Sequence, residues 1–173
     1  MVGGAPVRPT FSLVDHFGQP RSEGDFCGRF IIVYFGFTSC RVVCPRALTK
    51  LSQVISDLGG EAAEIDALYI SVDPDRDTPR VMRSFLETSY PHFLGLTGST
   101  EAIEKARRSF RVFAERKADP ADPDGYAMAH TAISFLLDRE GHYVDHFSDA
   151  MDAGKIVERI RFHLKATLKS TEL

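Results

Sequence analysis

Residues 29–35 read RFIIVYF, an apolar, β-branched and aromatic run that follows a single arginine. A half-exposed strand alternates apolar with polar residues, so a run without alternation is the pattern of a strand buried on both faces. Such a strand needs cover on each side, and in a chain of this size helices supply it, which makes the fold α/β. The longest apolar stretch, 31–37 with Gly36 inside it, is far shorter than the ~18 to 20 residues that cross a bilayer.

The rest of the chain agrees with that frame. After the loop 36–44, Pro45 opens a helix in which Leu48, Leu51, Ile55 and Leu58 recur at helical spacing until Gly59 and Gly60 end it. A second unit follows: strand 67–72 (ALYISV), loop 73–77, then Thr78-Pro79 as a capped start for a helix bearing Val81, Met82, Phe85 and Leu86. Two successive βα units imply parallel strands.

Residues 11–14 and the turn at 15–18 predict an N-terminal β-hairpin, and 93–96 a brief edge strand. Ser99-Thr100 caps a helix from 101 to about 113, and 117–129 (KADPADPDGYAMA) reads as an irregular loop. Strands 130–137 and 142–147 form a hairpin, and 152–168 closes the chain as an amphipathic helix on Ile156, Val157, Ile160 and Leu164. The whole, residues 1–173, is expected to be one domain: a central mixed sheet with a parallel part, an antiparallel hairpin at one side and helices on both faces.

Charge narrows the partners. Twenty-one basic against 24 acidic residues give a net charge of −3, which supplies no electrostatic drive toward nucleic acid. No charged start, apolar stretch and small-residue cleavage site appear in series, so no signal peptide is visible. Three cysteines are an odd count and fit one functional pair plus a bystander.

The pair is Cys40 and Cys44, placed where the buried strand gives way to a helix. Ligand sites of open α/β sheets lie beyond the carboxyl ends of strands, and free N–H groups at a helix start favour thiolate over thiol. Two thiolates there can bind a soft metal or exchange electrons. Dithiol oxidoreductases usually carry two residues between their cysteines and this chain carries three, so metal binding moves ahead.

A third ligand is sought among His16, His92, His130, His142, His146 and His163. His130 stands out, because it ends a long loop and begins a strand. His142 and His146 share a strand face at a separation of about 13 Å, too far for one ion. Cys27 reads as a small hydrophobe in a turn, Met128 as packing, and Lys105, Arg107, Arg108 and Arg111 as a solvated helix face.

Three segments, FGFTSCRVVCP at 35–45, SVDPDRDTP at 71–79 and AHTAISFLLDREGHYV from Ala129, resemble the Sco/SenC family of copper-binding proteins from about Phe11 to Leu164. The resemblance implies a thioredoxin-like fold. It implies copper, as Cu(I) and also Cu(II), held by Cys40, Cys44 and His130 and delivered to the binuclear copper centre of cytochrome c oxidase. The partners implied are the copper-site subunit of the oxidase and a copper donor or thiol reductant. It further implies a monomer on the periplasmic side of a bacterial inner membrane or in the mitochondrial intermembrane space, tethered by an N-terminal anchor outside this chain.

Two alternatives use the same fold: a thiol–disulfide reductase that keeps the oxidase's copper-ligand cysteines reduced through Cys40 and Cys44, and a redox-signalling or peroxide-reducing protein. Thioredoxin-type enzymes carry a proline where Ala129 stands, which weighs against the reductase. Many members of the family carry Pro-Asp at 41–42 and Asp at 129, where this chain has Arg41-Val42 and Ala129. The missing carboxylates are expected to lower metal affinity, and Arg41 to favour thiolates while repelling a cation.

Overall fold

The computed structural model describes residues 6–170, with the side chains of residues 167–170 left out of the account. Strand β3 (Phe30–Gly36) is the apolar run, buried at every position, and it lies inside a seven-stranded sheet ordered β2-β1-β5-β4-β3-β8-β9. The neighbours are β1 (Ser12–Asp15), β2 (Pro20–Ser22), β4 (Ile65–Ser71), β5 (Phe93–Thr97), β8 (Ile133–Leu137) and β9 (Tyr143–Ser148). β3, β4 and β5 run parallel, while β1, β2, β8 and β9 join antiparallel. The fold is therefore the mixed sheet with an N-terminal hairpin that the sequence predicts.

Side-chain alternation assigns the helices to faces. Tyr34 and Tyr69 are register partners on one face, Phe35 and Ile70 on the other. Tyr69 stacks on Phe85 of α2 (Pro79–Ser89), and Tyr34 lines a small cavity with Ala47 and Leu51 of α1 (Val43–Leu58) and Ile156 of α4 (Ala153–Ser170). Phe35 meets Phe110 of α3 (Thr100–Phe110) on the opposite side. The caps fall where the sequence puts them: Thr78 accepts from the N–H of Val81, and Ser99 from that of Ala102.

Four expectations are corrected. β5 is not an edge strand but lies between β1 and β4. Its partners come from residues 14–15 and 67–70, a pairing that no local pattern records. Helix α1 begins at Val43 rather than at Pro45, which puts Cys44 in its first turn and leaves Cys40 in the loop before it. Helix α3 stops at Phe110, because Arg111 adopts left-handed backbone at φ 57°.

The fourth concerns residues 117–129, which do not form an irregular loop. β6 (Ala114–Ala118) and β7 (Tyr126–His130) pair as a separate two-stranded arm, with Ala114 opposite His130. The turn between them closes through Asp119 N–H to the Gly125 carbonyl and Gly125 N–H to the Asp122 carbonyl, with Gly125 at φ 79°. Both strands are polar or half-exposed, so they carry no hydrophobic period from which to read them.

Candidate metal centre

The loop between β3 and α1 is held from below by a buried carboxylate. Asp77 accepts the N–H and hydroxyl of Thr38 and the hydroxyl of Ser71, the latter two at 2.6 Å, while its own carbonyl accepts from Thr97. The side chain is fully enclosed, and burial raises its pKa despite those donors. Thr38 is thereby fixed, and with it the turn in which the Cys40 N–H reaches the Phe37 carbonyl.

Cys40 is half-buried, whereas Cys44 is completely enclosed beneath it. The N–H of Cys44 donates to Cys40 Sγ at 3.4 Å. The Cys44 thiol hydrogen-bonds to the same sulfur and, with the N–H groups of Cys44, Val42 and Val43, outweighs desolvation and brings Cys40 down to about 5. Cys44 moves up for the complementary reason: Cys40 holds its proton as a donor, and burial disfavours a second thiolate. Cys40 is the thiolate of the pair.

His130, at the end of β7, comes across the site from 86 residues away. Its Nε2 lies 3.6 Å from Cys44 Sγ. Its Nδ1 lies 2.9 Å from the Thr131 carbonyl, an acceptor only, so Nδ1 carries a proton and Nε2 is the ring nitrogen turned to Cys44. The ring stands edge-on to Phe37 and Tyr34. Cys40 and His130 open on a cavity of about 420 Å³ that Val42, Met128, Ala129 and Asp119 also line. Val42 is 65% exposed at its mouth.

Two tyrosines that sequence reasoning missed lie behind the cysteines. Tyr34 and Tyr69 are buried, neither hydroxyl has a hydrogen-bond partner of good geometry, and burial raises the pKa of each. A Cβ on Gly36 would stand 2.6 Å from Tyr69 Oη and 2.8 Å from Cys44 Sγ, so only glycine fits there. The aromatic strand run is the only local sign of them, and it reads as core.

The remaining candidates are placed elsewhere. Arg41 turns to Asp119 and the Ala121 carbonyl, both at 3.0 Å, so its charge is met by the arm and the thiolate owes its stability to Cys44 and the backbone. His16 is a core histidine that accepts from the N–H of Gly95, His163 bonds Asp145, and His92 is exposed. His142 lies in the β8–β9 turn beside Asp138, whereas His146 bonds Tyr143, and the two are not brought together. Among the described residues, Asp138, Glu140 and His142 form the one group of three such donors all within 4.8 Å of one another; Cys40, Cys44 and His130 are set more openly. Cys27 is exposed, beside Arg8.

A family model described as SCO1/SenC matches residues 2–165. This chain belongs to the SCO1/SenC family. The mitochondrial SCO2 homolog of Mus musculus is 41% identical over 159 residues, which span 90% of this chain and 62% of that protein. This SCO1/SenC chain thus covers about three-fifths of the length of that relative. Among solved structures, Bradyrhizobium japonicum ScoI with copper bound has a TM-score of 0.80 at 33% identity, covering 90% of this chain and 98% of that one. Yeast Sco1 with copper bound gives 0.83 at 31%, covering 92% and 89%. The fold is that of the thioredoxin-like Sco structures.

Proposed function

We propose that this domain binds copper through Cys40, Cys44 and His130 and passes it to the binuclear copper centre of cytochrome c oxidase. The observation that carries this reading is the approach of His130 Nε2 to Cys44 Sγ beside a Cys40 thiolate, in a chain whose structural relatives include copper-bound Sco proteins. The donor set fits the metal. Two thiolates and an imidazole suit soft Cu(I), and a borderline imidazole also accommodates Cu(II). A site whose Cys40 and His130 open on a cavity lets an incoming ligand bind before a resident one leaves, which is how a carrier releases its cargo. The same reading makes the domain a monomer working on the periplasmic side of a bacterial inner membrane or in the mitochondrial intermembrane space, anchored through a segment before it. No helix of the described residues is long and apolar enough to cross a membrane.

Anaerobic titration of the reduced protein with Cu(I) tests the reading. One tightly bound copper is expected, lost in Cys40→Ser and Cys44→Ser and weakened in His130→Ala. Unchanged affinity in the double serine variant would refute it.

The Cys40 thiolate favours one further reading, thiol–disulfide exchange. Cys40 Sγ attacks a disulfide sulfur of the oxidase subunit and displaces one of its thiolates; Cys44 then loses its proton and attacks Cys40 Sγ, releasing the second thiolate. The partner gains two electrons and Cys40–Cys44 becomes a disulfide, which a thiol reductant must reduce again. Its test is mixed-disulfide trapping with Cys44→Ser.

A further inference from the structure

The arm that carries His130 is attached to the domain at two places. At its base, the Thr131 N–H donates to the Phe113 carbonyl and the Phe113 N–H to Thr131 Oγ1, each at 3.0 Å. At its tip, Arg76 from the loop after β4 reaches into the β6–β7 turn. Its Nη1 donates to Asp122 Oδ1 at 3.0 Å and to the Tyr126 carbonyl at 3.2 Å, while Nε donates to Asp73 Oδ2 at 2.6 Å. The guanidinium lies 3.8 Å from the centre of the Tyr126 ring, whose hydroxyl donates to Asp73 at 2.9 Å, and 5.8 Å from that of Phe37. Phe37 is also one of the two rings against which His130 stands.

Exposure separates this tie from its neighbours. The side chains of Arg76, Asp73 and Asp122 are 13%, 1% and 5% exposed, against 55% and 30% for Arg41 and Asp119 and 53% and 61% for Arg116 and Asp75. Exposed ion pairs are screened and fix little, whereas an enclosed, multiply bonded guanidinium holds one geometry. We propose that Arg76 is a positioning residue for His130: it clasps the tip of the β6–β7 arm so that the imidazole at its base faces Cys44. The inference rests on His130 serving as a copper ligand.

The test uses the full 173-residue chain and copper itself, with Arg76→Gln, His130→Ala and the double variant. Arg76→Gln is expected to lower copper affinity by about 10- to 100-fold, as loss of a ligand-orienting partner does. It should also move the Cu(II) spectrum toward that of His130→Ala with the far-ultraviolet circular dichroism unchanged. In the His130→Ala background the same substitution should cost no further affinity. An equal loss in both backgrounds would reduce Arg76 to a general structural role and overturn the proposal. In the metal-free protein, NMR contacts between the His130 and Phe37 rings should vanish in Arg76→Gln, and their persistence would also overturn it. That readout needs no metal, so it decides the role of Arg76 even if unchanged copper binding in His130→Ala removes the ligand reading. Should Arg76→Gln fail to fold, Asp122→Asn loosens the same clasp and carries the same expectations.

Discussion

Cys40 and Cys44 are the same chemical group four residues apart, yet only one is poised to react. Cys40 accepts hydrogen bonds from the Cys44 thiol and several backbone N–H groups, while Cys44 is fully enclosed. Alkylation of the metal-free protein by iodoacetamide should therefore label Cys40 with a pH midpoint near 5 and spare Cys44 at neutral pH, as peptide mass mapping would show. In Cys44→Ala that midpoint should rise, because the leading donor is gone. Val42 and Ala129 both line the cavity, so a carboxylate at either position would face the bound cation. Val42→Asp/Ala129→Asp should bind Cu(I) more tightly by about tenfold in competition with a chelator, the scale on which outer-shell partners tune a metal site. Unchanged affinity would show that these two positions do not govern the metal.

At the level of elements, β3 and α1 approach so closely at the site that a methyl group has no place between them. Gly36→Ala pushes a Cβ into Tyr69 Oη and Cys44 Sγ, and overpacking of this kind costs about 1 to 3 kcal/mol. Thermal unfolding should show that loss together with weakened copper binding. The last helix is joined to the sheet edge through Asp145 of β9, which binds Arg159 and His163 of α4. Burial alone would raise the carboxyl pKa, but the bonds from His163, the His146 N–H and Arg159 outweigh it and leave it lowered. A lowered carboxyl stabilises the fold above its unfolded value near 3.8, and that stability is lost as the pH falls through the lower folded value. Melting temperatures measured on acidification should decline less steeply in Asp145→Asn than in the parent.

For the molecule as a whole, Asp77 is a junction: its carboxylate joins the cysteine loop to β4 and its backbone carbonyl joins both to β5. Asp77→Ala leaves the buried Ser71 hydroxyl and the half-buried Thr38 donors without an acceptor, and at ~1 to 3 kcal/mol for a fully buried group the domain should lose at least that much in chemical denaturation. The sequence by itself determined what depends on neighbours along the chain. The apolar run of β3, the spacing of leucines in α1 and the Thr78 and Ser99 caps are local patterns, and each formed the expected element. Cys40, Cys44 and His130 were likewise legible as candidate donors from residue type and from motif. Only the tertiary structure decided where β5 lies, that polar residues 114–130 fold into an arm, and that a histidine meets a cysteine across 86 residues. It also decided which cysteine is the thiolate, and that Arg41 spends its charge on Asp119. Those outcomes depend on burial and on hydrogen bonds between segments far apart in the chain, and no local period or spacing records such contacts.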